Sequence, residues 1–134
     1  MKNSNKALET RDVIEAIEVP ATPESVVALL AGGKLTSWRR DGGIVEFRGD
    51  IVGEHVVATL RVEVMTPAFI AVACEDTSMD LGWAGTRAHI AIARTARGAR
   101  IAVVHAGVPA TGASRELWCG FFDELASALT AIAA

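Results

Sequence analysis

The sequence predicts an α+β domain in which a run of antiparallel strands lies between one short helix and one long helix. Three observations carry that expectation. Between Gly43 and Arg97, apolar and polar residues alternate with a period of two, in runs of about 7 to 13 residues broken by glycine, proline or acidic residues. The stretch TPESVVALLAGG, residues 22 to 33, holds the start and stop signals of a helix in the right order. From Trp118 to Ile132, apolar residues recur at three- and four-residue steps, the spacing of one helix face.

Each element can be justified in turn. Residues 1 to 10 are polar and aperiodic, and are expected to fray ahead of a single domain spanning 11 to 134. DVIEAIEV, from Asp12, alternates as a strand, and Pro20 ends it because proline has no N–H for a ladder. Thr22 then caps a helix, Pro23 suits its first position, Glu24 lies on the favourable end of its dipole, and Gly32 with Gly33 stops it.

Four strands follow in GIVEFRGD, EHVVATLRVEVM, AFIAVACED and GWAGTRAHIAIAR. A sixth, ARIAVVHAGV, follows the turn TARG, with Gly98 available for positive φ. No helix-length segment separates these strands, so parallel βαβ units are excluded and an antiparallel meander remains. In the last helix Trp118, Phe121, Phe122, Leu125, Leu129 and Ile132 form the buried stripe, while Arg115, Glu116, Asp123 and Glu124 fall away from it.

Composition narrows the function. The 134 residues suit one domain able to bury its own core, and a net charge of −3 does not suggest a nucleic-acid binder. Cys74 and Cys119 are isolated thiols without metal-ligand or redox spacing, which fits a reduced, cytoplasmic setting. No apolar run approaches the roughly 18 residues of a membrane span. There is no G-x-S-x-G, HExxH or phosphate-binding glycine loop, and His55, His89 and His105 lack metal-ligand spacing. Neither a cofactor nor a metal is expected.

Three local motifs give the pattern a family likeness. LGWAGTRAHIAI resembles a W-x-G-T strand opening, VVHAGV an H-x-G strand end, and LWCGFFDELASAL a C-x-G-W-x-x-x-L helix, while IEVPATPESVVALL looks like a first strand and entry helix. Together they resemble the START-like, or helix-grip (SRPBCC), superfamily over residues 12 to 132. Within it they are most similar to the bacterial branch of polyketide-cyclase-like proteins and relatives of the activator of the ninety-kilodalton heat-shock ATPase. One departure is that Phe121 stands where the helix motif carries Trp, with Trp118 three residues earlier on the same face. The resemblance implies a strongly bent antiparallel sheet wrapped around the C-terminal helix, with an apolar chamber between them.

Alternation then names what would line such a chamber. Ile101, Val103 and His105 share one face of the last strand; Thr86, Ala88, Ile90 and Ile92 share one face of the strand before it. In the first strand Val13, Ile17 and Val19 would carry Glu15 inward, although the opposite register, with Ile14 and Ala16 inward, is also open. The expected ligand-binding set is Trp38, Trp83, Thr86, Ile90, Val103, His105, Trp118 and Phe122. His105 and Glu15 are the catalytic candidates. Trp38, in KLTSWRRDGG, is expected among loops at the chamber mouth, with Arg39 and Arg40 beside it to attract an anion.

Bland alternatives stand beside these roles: His105 as a strand-end residue bonded to backbone, and the tryptophans as core. The leading functional expectation is non-catalytic binding of an apolar or aromatic small molecule. The alternatives are a cyclase- or hydrolase-type enzyme with His105 as general base, or a co-chaperone-like ATPase activator homologue. Nucleic acid and membrane are not expected partners, and a homodimer is left open.

Overall fold

The computed structural model describes residues 10–109 and 112–133, so residues 1–9 of the expected frayed tail lie outside the described residues. Thr10 itself opens the first strand, β1 (Thr10–Val19). Helix α1 (Pro23–Gly32) begins as its sequence requires, with the Thr22 hydroxyl accepting the Ser25 N–H at 3.1 Å. It ends on Gly33 at φ 63°, whose N–H reaches back to the Leu29 carbonyl. Then come β2 (Trp38–Asp41), β3 (Ile44–Ile51), β4 (Glu54–Met65), β5 (Phe69–Thr77), β6 (Arg87–Thr95), β7 (Gly98–Pro109) and helix α2 (Ala113–Ala133).

The seven strands form one antiparallel sheet in the order β1-β7-β6-β5-β4-β3-β2. Sequential strands are neighbours throughout, apart from β1, which closes onto β7. Helix α2 packs against β1 and β7 near one end of the sheet and against β3 near the other. A flat sheet cannot bring both ends to one helix, so this one curls around α2, which defines a helix-grip α+β fold. Among the described residues, no helix is long and apolar enough to cross a membrane.

Two expectations are corrected here. Trp38 does not sit in a mouth loop: it opens an additional strand, β2, which pairs with β3 through Trp38↔Phe47 and Asp41↔Ile44. The cause is the Gly42-Gly43 step, a two-residue hairpin turn between the paired Asp41 and Ile44, with Gly42 at φ 62°. At the other end of the chain Ile132, assigned to the buried stripe, is 57% exposed, because it lies in the last turn of α2 against an open surface cleft bounded by Pro20, Ser25 and Gly98 rather than against packed core.

The inward faces follow the alternation. Val13, Ala88, Ile90, Ile92, Ile101, Val103 and His105 are all buried, as are Leu117, Trp118, Phe121, Phe122, Leu125 and Leu129 on α2. Close approach of sheet to helix depends on Gly49, where an added Cβ would lie 2.6 Å from Leu117 Cδ2.

Candidate functional site

The interior between α2 and the sheet is occupied by the protein's own rings. Trp38, Phe47, Trp83, Trp118 and Phe121 are each at most 1% exposed, and Phe122 only 3%. Phe47 sits among them, with its centroid 4.6 Å from Trp118, 5.5 Å from Phe121 and 5.8 Å from Trp83. Trp38 lies 5.4 Å from Phe121. The expected ligand-binding residues Trp38, Trp83, Ile90, Val103, His105, Trp118 and Phe122 are therefore brought together as packed core. Thr86 stands at the rim, just before β6.

Within this apolar packing runs one chain of polar contacts, with His105 at its centre. The Trp118 indole Nε1 lies 3.1 Å from His105 Nδ1. An indole N–H can only donate, so Nδ1 is the acceptor and the imidazole proton resides on Nε2. Nε2–H then faces the Thr86 hydroxyl oxygen at 2.8 Å, and that hydroxyl donates to the Trp83 carbonyl at 2.6 Å. Trp83 donates its own indole N–H to Ser114 at 2.8 Å, on the first turn of α2, and Trp38 donates to the Leu30 carbonyl at 3.0 Å. The tryptophans thus satisfy every indole N–H while filling the core.

This geometry fixes what His105 does chemically. Burial lowers its pKa from 6.5 to about 4, so the ring is neutral at neutral pH, and both its nitrogens are engaged. No lone pair is free to take a substrate proton. Cys74 Sγ lies 3.6 Å from Nε2, but burial pushes that thiol up to about 11, so the pair holds neither a thiolate nor an imidazolium.

Glu15, the other catalytic candidate, does not meet His105. It shares the inward face of β1, but its carboxylate, with the side chain 22% exposed, pairs with Arg115 on α2. Ion pairing with a helix residue directly over β1 outcompetes the apolar interior, where an unpaired carboxylate would pay its full desolvation. Arg40, expected to attract an anion, instead donates to the Ala31 carbonyl at 3.0 Å and ties β2 to the end of α1.

Open space lies elsewhere, at the seam between α2 and the β3–β4 end of the sheet. A cleft of about 730 Å³ is walled by Gly112, Arg115, Glu116, Cys119, Gly120, Asp123 and Glu124 on one side. Arg48, Gly49, Asp50 and His55 face them, and Thr36 with Ser37 closes one end. Gly120 gives the groove its room, since a Cβ there would meet nothing within 4 Å.

Glu124 is bound tightly at that end. One carboxylate oxygen accepts the Ser37 N–H at 2.7 Å and the Ser37 hydroxyl at 2.6 Å, and the other accepts the Thr36 N–H at 2.7 Å. Burial alone would raise its pKa, but these hydrogen bonds outweigh it and hold the carboxyl below its ordinary value. Among the described residues, no group of three or more His, Cys, Asp or Glu is placed to hold a metal ion.

Asp123 and Glu124 fall off the buried stripe, and nothing local in the sequence gives either of them a role. Glu124's partners are 87 and 88 residues away, beyond any local pattern.

The architecture defines a fold class, the helix-grip α+β fold. Solved structures agree on the fold. A START superfamily protein from Mycobacterium smegmatis superposes with a TM-score of 0.60 at 15% identity, over 92% of this chain and 97% of its own. The Aha1 dimer from Colwellia psychrerythraea gives 0.62 at 15% identity, over 89% and 96%. The di-domain ARO/CYC StfQ of the steffimycin biosynthetic pathway gives 0.65 at 12% identity, covering 96% of this chain and 54% of its own. No family model and no curated protein matches the sequence.

Proposed function

We propose that the protein is a non-catalytic binding module that takes a small molecule with an apolar or aromatic body at the seam between α2 and the β3–β4 end of the sheet. The observation that supports it is the cleft of about 730 Å³ at that seam. Its size falls within the roughly 300 to 1,000 Å³ of small-molecule sites. Charged groups of both signs, Arg48, Arg115 and Asp123 among them, suit a polar end, and Gly49, Cys119 and Gly120 leave room for the body. The general-base role of His105 is not part of this reading, because the Trp118 and Thr86 contacts occupy both ring nitrogens.

A fluorescence titration with 8-anilinonaphthalene-1-sulfonate (ANS), a probe with one anionic and one aromatic part, tests the reading. The Gly120→Phe variant sets a ring on the wall of the cleft, at a position where the added Cβ itself meets nothing within 4 Å. Saturable binding by the native protein and its loss in the variant, at an unfolding midpoint no lower than the native one, is the expected result. Absence of saturable binding to the native protein, or equal binding by both, overturns it.

A further inference from the structure

An antiparallel sheet with one face in water ordinarily turns polar residues outward, but over much of this sheet the outward positions are apolar. On the face turned away from α2, β1 carries Ile14 and Ala16, β7 Val104 and Ala102, β6 His89 and Ala91, and β5 Ala71 and Phe69. Ile14 is 66% exposed there, and Val104 and Phe69 are each 37% exposed. No Asp, Glu, Lys or Arg stands among these positions. A contiguous exposed apolar patch of this kind marks an interaction surface.

Cross-strand pairing sets the eight residues in two rows. Ile14, Val104, His89 and Ala71 are successive partners in one row, and Ala16, Ala102, Ala91 and Phe69 in the other. The register is regular through both rows, while bulges fall beside them, between Arg11 and Val13 and between Val62 and Val64. Bulges bend a strand, so these bends fall at the margins of the patch rather than within it.

Size alternates between the rows on every strand: Ile14 stands beside Ala16, Val104 beside Ala102, His89 beside Ala91 and Phe69 beside Ala71. A two-fold axis running across the strands, midway between the rows, sets each larger residue of one copy over the alanine of the same strand in the other. The patch is thus complementary to itself, which an isologous dimer requires and an unrelated partner does not. Extended across to Val64 on β4, and along β6 from Arg87 to Ala93, it measures about 24 Å by about 23 Å. Two copies would bury on the order of 1,100 Å², close to the lower limit for a specific interface.

We propose that the outer face of β1, β7, β6 and β5 docks a second copy of this chain, the two sheets stacking about 10 Å apart with each strand over its own counterpart. The proposal is independent of the cleft reading, since none of the eight residues lines the cleft.

Sedimentation velocity on the native protein, from about 5 µM to about 1 mM, tests the association. The modest area leads us to expect a monomer–dimer equilibrium with Kd on the order of 10–100 µM. Ala91→Lys and His89→Asp each bring an unpaired charge into the centre of the patch, and each alone should weaken the dimer at least about tenfold. Mixed in equal amounts, the two variants should re-associate with an affinity near the native one, because the pairing sets the new ammonium of one chain over the new carboxylate of the other. Circular dichroism and unfolding midpoints establish that the variants fold, and if either does not, Ala102→Lys and Val104→Asp repeat the test on β7. A native protein that stays monomeric to about 1 mM, a dimer undiminished by the single substitutions, or a mixture that does not re-associate overturns the proposal and leaves the cleft reading standing.

Discussion

The sharpest energetic consequence of the structure is acid sensitivity carried by a single buried ring. His105 is 0% exposed and its folded pKa is lowered to about 4 by burial, against 6.5 for an ordinary histidine. The folded state therefore binds fewer protons than the unfolded chain below pH 6.5. Stability contributed by the neutral ring is complete above that value and is lost as pH falls towards 4. Between pH 8 and pH 5, a depression of this size removes about 2 kcal/mol, and the full loss across the window is roughly 3 kcal/mol.

The upper part of this window can be isolated. Glu124, whose pKa is held low by Ser37 and Thr36, loses its contribution only at more acid pH. Urea unfolding followed by tryptophan fluorescence at pH 8, 6.5 and 5 supplies the free energies. The protein should lose about 2 kcal/mol across this range beyond whatever His105→Gln loses, because glutamine can accept from Trp118 and donate to Thr86 without titrating. Parallel pH dependences for the two proteins would refute the assignment of His105 as a neutral, fully satisfied core residue.

Other consequences follow from the same contacts. Trp118→Phe keeps most of the ring but orphans His105 Nδ1, and should cost about 1–3 kcal/mol by urea unfolding at pH 7.5. Thr86→Val removes both the acceptor for His105 Nε2–H and the donor to the Trp83 carbonyl, with a cost of similar size, about 1–3 kcal/mol. Gly49→Ala drives a Cβ to within 2.6 Å of Leu117 Cδ2 and should destabilise by about 1–3 kcal/mol; a Gly49→Ala, Leu117→Ala double-mutant cycle should show positive coupling that relieves much of it. Gly120→Ala, in mid-helix with no neighbour to offend, should stabilise by about 0.5–1 kcal/mol in thermal unfolding.

Much of the scaffold was legible because it rests on local chemistry. Thr22, Pro23 and Gly33 set the ends of α1 through contacts within four residues, and alternation along β6 and β7 placed Ala88, Ile90, Val103 and His105 on the inner face. Strand β2 is hard to read because WRRD has only four residues and no clean alternation; its signal is the Gly42-Gly43 turn that follows. The candidate site was less readable. Helical spacing tells which way Trp118 and Phe122 point, but whether six rings leave a chamber or fill it depends on volumes summed over four separate segments. Phe47, which touches four of the other rings, looked like any apolar residue of an alternating strand. The hold of Glu124 on residues 36 and 37, and of Arg115 on Glu15, spans 87 residues or more and has no local signature.

The central claim, that ligand binds at the α2 seam rather than in a preformed internal chamber, is tested most directly by mapping a bound probe. Backbone NMR shifts recorded as ANS is titrated into the native protein should move first and most at Ser37, Gly49, Cys119 and Gly120, and those changes should vanish in Gly120→Phe. Shifts confined to the outer face of the sheet, around Ala91 and Ala102, or changes that persist undiminished in Gly120→Phe, would contradict it.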